Sequence, residues 1–332
     1  MNNDAEIYQW LKDLAEHGYY ADRQICIALE DWWQSCQGPL IAEGFPGTGK
    51  SRLGILVAKI KQASFYRLPC MEDVGRREAL YTWNKVLQKF YMKQALKDAQ
   101  KRGQPLSDPK TVIYRRETIL PGALVQALQD PNKNVVLLID ELDKAPRNKA
   151  FEAMLLEFLE ESAITIPETG ERITPASGVP PRTFITSNAG TNGQVDSLSI
   201  PVLRRGRYLW LPEATRLRQY LILKQEVPHL SDSVVREIAL FLDLLMVQRQ
   251  IGLEKHITIS EAIMWARALQ RRRVNKLTDT VIVETLFALS KNTEDSNRLC
   301  GNARYLLSLV DKQMGVFIKE LSVAGVGLNE AA

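Results

Sequence analysis

The sequence predicts an α/β protein, with a parallel sheet between layers of helices followed by an all-helical second domain. Two observations predict this fold class. Between residues 40 and 212, short apolar runs that suit buried strands alternate with segments whose apolar residues recur at helical spacing. Beyond Pro212 the helical spacing continues to about residue 320, with almost no strand signal. We therefore expect a sheet-containing core at 1–212 and a helical domain at 213–332.

The composition is that of an ordinary globular protein. The chain has 332 residues, 45% of them hydrophobic and 25% charged, which is enough for two domains of about 150 residues each. Its net charge of +4 is small beside 43 basic and 39 acidic residues, so it allows attraction to nucleic acid but does not indicate it, and we do not expect nucleic acid as a partner. No segment has the roughly 18 uncharged apolar residues of a membrane span, and the start, MNNDAEIYQW, does not resemble a signal peptide. We expect a soluble, cytoplasmic protein.

The core elements alternate as a layered α/β fold requires. Apolar runs predict strands at 40–42, 65–70, 134–143, 182–188 and 204–212. Helical spacing predicts helices at 4–36, from 51 onward, and at 76–98, 121–129 and 147–161. A hairpin is expected at 164–174, where strand residues alternate around Gly170.

Residues 44–51 read GFPGTGKS and match the pattern G-x-x-x-x-G-K-[ST] of a phosphate-binding loop. Glycines let several backbone N–H groups converge on a phosphate, and the helix that follows adds its positive end. Lys50 would reach the β and γ phosphates, and Ser51 would place its hydroxyl on Mg²⁺. The alternative, a plain glycine turn, is disfavoured by the strand before the loop and the helix after it. The residues assigned to nucleotide binding are Gly44, Pro46, Gly47, Thr48, Gly49, Lys50 and Ser51.

A pair of acids follows the apolar strand in LLIDELDKAP, residues 137–146. Asp140 is placed to hold the magnesium shell, and Glu141 to polarise a water for attack on the γ phosphate. By itself an apolar run ending in Asp-Glu is usually only the end of a strand. It gains weight here because it follows a phosphate-binding loop in the order that parallel-sheet NTPases show.

Two further features leave alternatives open. Asn188 ends a strand, where its amide could orient the attacking water or simply form a turn. Arg204, Arg205 and Arg207 form a basic cluster. The cluster is either a solvated charged face or the source of an arginine that reaches the γ phosphate of a neighbouring subunit.

With these features in order, the chain resembles the AAA+ ATPases, and within them the MoxR family of the helix-2-insert group. FYRLPCMEDVGRREALYTWN at 65–84 is similar to a family segment in which a strand end with a cysteine precedes an A-L-Y-x-W-N helix. ITIPETG at 164–170 resembles the insert hairpin, and ITISEAIMWARAL at 257–269 resembles the S-E-x-x-x-W-A-R-A-L motif of the lid. The resemblance covers about residues 20 to 298. The most similar branch includes ATPases that mature carbon monoxide dehydrogenase.

The resemblance implies a role for each matched residue of the core. Lys50 and Ser51 correspond to the Walker A lysine and magnesium-ligand serine. Asp140 and Glu141 correspond to the Walker B magnesium ligand and catalytic acid. Asn188 corresponds to sensor 1.

The resemblance also assigns three arginines. Arg267, in the W-A-R-A-L motif, corresponds to the sensor 2 arginine, which reaches the nucleotide of its own subunit. Arg205 corresponds best to the arginine finger, with Arg204 as the second choice. The resemblance therefore implies an αβα core and a helical lid that together bind and hydrolyse ATP with Mg²⁺.

The family assembles as rings, commonly hexamers, with the insert hairpin directed at a client and a separate von Willebrand A-domain protein as partner. The leading hypothesis is therefore a remodelling ATPase that acts on a client protein or metalloenzyme. One alternative is a nucleotide-gated scaffold with slow hydrolysis. Another is a nucleic-acid motor, which would need a basic stripe with interleaved aromatics. The basic cluster that stands out, Arg271 to Arg273, falls after the lid helix and suits a solvated helix end.

Overall fold

The structure is a computed structural model that describes residues 3–71, 79–106, 108–145, 149–188, 198–247, 251–254 and 257–324. The chain divides into two compact units. Unit 1 consists of Met1–Asp13, Asp22–Gly44 and Gly49–Leu211, and unit 2 of Leu14–Ala21, Phe45–Thr48 and Pro212–Ala332. Parts of two sequence motifs, at 72–78 and at Pro146, lie outside the described residues.

The described strands all belong to unit 1. They are β1 (Leu40–Gly44), β2 (Ser64–Pro69), β3 (Tyr81–Trp83), β4 (Ile119–Pro121), β5 (Val135–Asp140), β6 (Ile164–Thr165), β7 (Arg172–Ile173), β8 (Arg182–Asn188) and β9 (Arg207–Trp210). Five of them form one sheet in the order β2-β5-β8-β1-β9, in which every neighbouring pair is parallel. The α/β fold class predicted from the sequence is confirmed.

Along the chain, helices precede and connect these strands. They are α1 (Asn3–Glu16), α2 (Arg23–Ser35), α3 (Lys50–Ile60), α4 (Lys85–Arg102), α5 (Pro109–Ile113), α6 (Ala123–Gln129), α7 (Lys149–Glu161) and α8 (Ile200–Arg205). All six residues of β5 are buried, as expected for a strand covered on both faces. Leu137 and Ile139 of β5 share one hydrophobic cluster with Phe151 and Phe158 of α7. This packing fixes the strand that ends at Asp140.

Two segments differ from the expectation. The stretch 76–98 is not one helix, because Tyr81–Trp83 pairs antiparallel with Ile119–Pro121 and α4 begins only at Lys85. Aromatic residues favour strands, and the side chain of Asn84 starts the new helix by accepting hydrogen bonds from the Val86 and Leu87 N–H groups, both at 3.1 Å. The second difference concerns Arg204 and Arg205, which end helix α8 rather than begin the last strand.

The hairpin predicted at 164–174 is present. Ile164 pairs with Ile173 and Thr165 with Arg172, antiparallel. Gly170 has a φ of +69°, in the left-handed region that glycine adopts without strain, and thereby allows the chain to reverse. The tip of the hairpin, residues 167–170, is exposed.

The described part of unit 2 beyond Pro212 is helical. Its helices are α9 (Arg216–Glu226), α10 (Asp232–Val247), α11 (Ile259–Arg271), α12 (Asp279–Thr285) and α13 (Thr293–Val323). They surround a separate hydrophobic core that includes Tyr220, Phe241, Trp265 and Phe317. Among the described residues, no helix is both long enough and apolar enough to span a membrane.

Candidate active site

The parallel register brings the carboxyl ends of four strands to one edge of the sheet in unit 1. Gly44 at the end of β1 is paired with Asn188 at the end of β8. Asp140 at the end of β5 is paired with Pro69 at the end of β2. In open α/β sheets this edge is where ligands bind. The sheet therefore places the sequence-predicted acids, amide and glycine loop at the same edge.

The glycine loop connects β1, which ends at Gly44, to α3, which begins at Lys50. Gly47 and Gly49 have φ values of +81° and +90°, a backbone conformation that other L residues rarely adopt. Gly49 is also the N-cap of α3, so the backbone turns directly into the helix. The first N–H groups of α3 are thus available to an anion at this end. Within the loop, the Thr48 hydroxyl donates to the Phe45 carbonyl at 3.0 Å.

Lys50 is buried, with 6% of its surface exposed, and its ammonium donates a hydrogen bond to the Gly44 carbonyl at 2.9 Å. Burial lowers its pKa, while the carboxylates of Asp143, Glu141, Asp140 and Glu43 act in the opposite direction. The amine is therefore held against the loop among acids.

The hydroxyl of Ser51 donates to Oδ1 of Asp140 at 2.6 Å, which joins the glycine loop to the acid-bearing strand. Asp140 is almost fully buried. Thr186 donates to the same oxygen at 2.7 Å, and Arg67 of β2 donates to Oδ2 through Nε at 2.9 Å and also through Nη2. Burial by itself would raise the pKa of Asp140, but the hydrogen bonds from Ser51, Thr186 and Arg67 outweigh it and hold the pKa below its usual value.

The donor set at this point fits Mg²⁺. A carboxylate and a hydroxyl are hard oxygen ligands, and Mg²⁺ commonly takes one or two carboxylates together with substrate phosphates. No cluster of three or more His, Cys, Asp or Glu residues suited to a metal is found in the described part of the chain. A site completed by phosphate needs no such cluster, so Ser51 and Asp140 are the residues that would hold the ion.

Glu141 follows Asp140 in the left-handed region, with a φ of +57°. Its N–H donates to the Thr186 hydroxyl at 2.8 Å, which fixes the turn. Its carboxylate accepts a hydrogen bond from the Lys144 ammonium at 2.6 Å, and both side chains are about half exposed. A non-glycine residue in this region is uncommon and is often associated with functional sites.

Asn188 is held by Asp143. The Asn188 backbone N–H donates to Oδ1 of Asp143 at 3.0 Å, and its side-chain amide donates to Oδ2 at 3.1 Å. Because both oxygens of one carboxylate are used, the orientation of the amide is set. The structure therefore groups Gly44, Lys50 and Ser51 with Asp140, Glu141 and Asn188.

Two of the three arginines that the sequence assigned to the nucleotide form ion pairs within their own units. Arg205 forms an ion pair with Glu160 at 2.7 Å and donates to the Pro201 carbonyl. Arg204 is exposed. Arg267, in unit 2, forms an ion pair with Glu226 at 2.7 Å.

Sequence reasoning missed the parts that Arg67, Asp143 and Thr186 play in this network. The signal for Asp143 was present: it is a third acid three residues after Asp140, in a segment already singled out. Arg67 and Thr186 contact Asp140 across neighbouring strands, so only the sheet register could identify them.

The parallel sheet, the glycine loop and the adjoining acid pair define a P-loop NTPase. A family profile described as AAA domain (dynein-related subfamily) matches residues 39–205, half of the chain. The chain belongs to this family and is an AAA+ ATPase.

No curated protein matched the chain. Among solved structures, the RuvB Holliday junction branch migration motor of Thermotoga maritima matches with a TM-score of 0.44 and 16% identity, over 82% of this chain and 70% of that chain. One variant of that protein has a TM-score of 0.45 at 18% identity, over 87% and 72% of the two chains. A second has 0.46 at 16% identity, over 82% and 70%.

Proposed function

We propose that the chain is a MoxR-type AAA+ ATPase that hydrolyses ATP in a ring assembly and uses the energy to remodel or activate a client protein or metalloenzyme. The core at 1–212 would bind the nucleotide, and the helical lid at 213–332 would move with the nucleotide state. A von Willebrand A-domain protein is the proposed partner. The hydrogen bond of 2.6 Å between Ser51 and Asp140 carries the hydrolytic part of the proposal, because it unites the two motifs at one point.

Each residue of the site has a task in this reaction. Lys50 would exchange the Gly44 carbonyl for phosphate oxygens. Mg²⁺ held by Ser51 and Asp140 would neutralise charge that develops on the phosphates. Glu141 would polarise the attacking water as a general base, and Asn188, fixed by Asp143, would orient it.

The arginine that we propose as the finger is Arg204, whereas the sequence favoured Arg205. Arg205 is already engaged by Glu160 and the Pro201 carbonyl within its own subunit. Arg204 is exposed at the end of α8 and has no ion pair among the residues that the structure describes. Arg204 is therefore the side chain available to a neighbour, and we propose it as the finger.

A complementation experiment tests the ring and the finger together. Lys50→Ala subunits cannot hold phosphate but supply an intact Arg204, whereas Arg204→Ala subunits supply an intact loop. We expect each variant alone to hydrolyse ATP at least about 10³-fold more slowly than wild type, and the mixture to regain activity. Arg205→Ala is the matched control and should retain most activity. Native mass spectrometry in ATP and ADP would show the ring. The proposal fails if the mixture stays inactive although mixed rings form.

One observation favours the second candidate, a nucleotide-gated scaffold with slow turnover. The Glu141 carboxylate is engaged by Lys144 and is not free to act as a base in that arrangement. If Lys144 restrains hydrolysis, Lys144→Ala will raise kcat in a steady-state assay without tightening nucleotide binding. If Glu141 leaves Lys144 when ATP binds, kcat will not change.

A further inference from the structure

Helix α4 has two distinct faces, although none of its residues is buried. At about 100° per residue, its half-buried side chains fall on one half of the helix. They are Leu87, Gln88, Tyr91, Met92, Ala95, Asp98 and Ala99. The exposed side chains up to residue 101 fall on the other half. They are Lys85, Val86, Lys89, Phe90, Lys93, Gln94, Leu96, Lys97, Gln100 and Lys101. We call this second half the lysine face.

The lysine face carries five positive charges and no negative one. Its lysines, Lys85, Lys89, Lys93, Lys97 and Lys101, recur at every fourth residue. Asp98, the acid of the helix, lies on the half-buried side. None of the five lysines forms an ion pair with any residue that the structure describes. The charge is therefore presented to solvent without an ion-pair partner in the described part of the chain.

The same face also exposes apolar side chains. Val86, Phe90 and Leu96 are 77%, 58% and 52% exposed. The helix is defined at both ends, by the side chain of Asn84 and by Gly103 in the left-handed conformation, so these groups project from a formed surface. Phe90 lies three residues before Lys93, so the two side chains are neighbours on the helix surface and the exposed aromatic ring stands beside a positive charge.

We infer that the lysine face binds the phosphate backbone of single-stranded nucleic acid. Successive lysines are about 6 Å apart along the helix axis, and a row of lysines that neutralises the phosphates of a single strand releases the counterions condensed on it. Lysine is a compact charge suited to phosphate, and lysine is depleted at protein–protein interfaces, where arginine is enriched. An exposed aromatic ring among basic residues gives a base a surface on which to stack.

A lipid surface fits less well, because a membrane-bound helix presents one continuous apolar face and its charges on the other. On α4 the apolar side chains are interleaved with the lysines.

Binding of nucleic acid goes beyond the proposed ATPase function and differs from what the net charge led us to expect. A stripe spread at every fourth residue does not form a run in the sequence, which is why Arg271 to Arg273 stood out instead.

Fluorescence anisotropy with a labelled 30-nucleotide oligo-dT and the full chain, without ATP, tests the inference. We expect wild type to bind with a Kd of about 10 µM or tighter at 0.15 M salt. The variant Lys89→Glu, Lys93→Glu, Lys97→Glu should bind at least about ten-fold more weakly, and its slope of log Kd against log salt should fall by about 2. Phe90→Ala should weaken binding several-fold and leave the salt slope unchanged.

The matched control is Lys133→Glu, Lys312→Glu, Lys319→Glu, which makes the same change in net charge at exposed positions outside α4. It should bind oligo-dT within about three-fold of wild type. Far-UV circular dichroism checks that each variant is folded, and Lys→Gln at the same three positions of α4 gives a milder version. Wild-type binding weaker than about 100 µM would overturn the inference. So would equal loss in both triple variants, tighter binding to a duplex of equal length, or equal displacement by poly-glutamate at the same charge concentration.

Discussion

Asp140 shows at the scale of a single residue how this site is held. Its carboxylate is buried and accepts hydrogen bonds from Ser51 and Thr186 on one oxygen and from Arg67 on the other. A buried carboxylate without such partners would be costly. The donors come from three different elements, so they fix the position of the carboxylate as well as its charge.

Arg67→Ala should destabilise the protein by about 1 kcal/mol, because it removes the cationic donor to Oδ2 of Asp140 while Arg67 itself is half exposed. Urea denaturation would measure the change in the free energy of unfolding. Arg67→Lys, which retains the charge but not the planar group, should fall between Arg67→Ala and wild type. Equal stability of wild type and Arg67→Ala would show that Arg67 does not support Asp140.

Glu43 is the residue from which we predict a pH dependence of stability. It is buried in β1, and neither carboxyl oxygen has a hydrogen bond of good geometry among the described residues. Burial raises the pKa of Glu43, and the Tyr208 hydroxyl opposes this only in part. A carboxyl with a raised pKa in the folded state lowers stability as the pH rises from its unfolded-state pKa through its folded-state pKa.

Glu43→Gln removes this ionisation. The Tm of the variant relative to wild type should therefore move in favour of the variant as the pH rises from 4 to 8. Thermal unfolding monitored by circular dichroism across this range would measure it. Glu117→Gln, an exposed site, controls for the loss of one negative charge and should show no such trend. A Tm difference that does not vary with pH would contradict the assignment of Glu43.

Among the helices and strands, the sequence correctly predicted those that depend on residues close together in the chain. The strand, glycine loop and helix around 40–60 were correct because motif, spacing and caps lie within one short segment. The break at Tyr81–Trp83 was missed because that strand exists only through pairing with Ile119–Pro121, far along the chain. The same reason hid the contacts of Arg67 and Thr186 with Asp140. Pairing between segments that are far apart in the chain leaves no periodic pattern in the sequence, so periodicity does not reveal it.

The helical unit offers an element-scale prediction. The Trp265 indole N–H in α11 donates to the Thr285 hydroxyl in α12 at 2.8 Å, and both residues are buried. Thr285→Val keeps the shape but leaves the indole donor unpaired, which should cost about 1–3 kcal/mol of unfolding free energy. Thr280→Val, an exposed site on the same helix, should change stability by less than about 0.5 kcal/mol. Comparable effects in both variants would mean that the hydrogen bond is not important.

The chain as a whole is an AAA+ ATPase, and its described residues form a candidate hydrolytic site at the carboxyl edge of the sheet. Ring assembly, the client and the partner are proposals that depend on surfaces presented to other molecules. Arg204, the hairpin tip and the lysine face are three such surfaces, and each is exposed. The motifs that identified the site do not encode what these surfaces bind. The sequence therefore predicted the nucleotide site more fully than the partners of the protein.

We propose that Glu141 is the base of an ATP-hydrolysing site. Steady-state ATP hydrolysis of wild type and Glu141→Gln, with nucleotide affinity measured in parallel, tests it most directly. We predict Mg²⁺-dependent turnover by wild type, a loss of at least about 10²-fold in the variant, and nucleotide affinity within a few-fold of wild type. Turnover by Glu141→Gln at the wild-type rate would show that Glu141 is not the base.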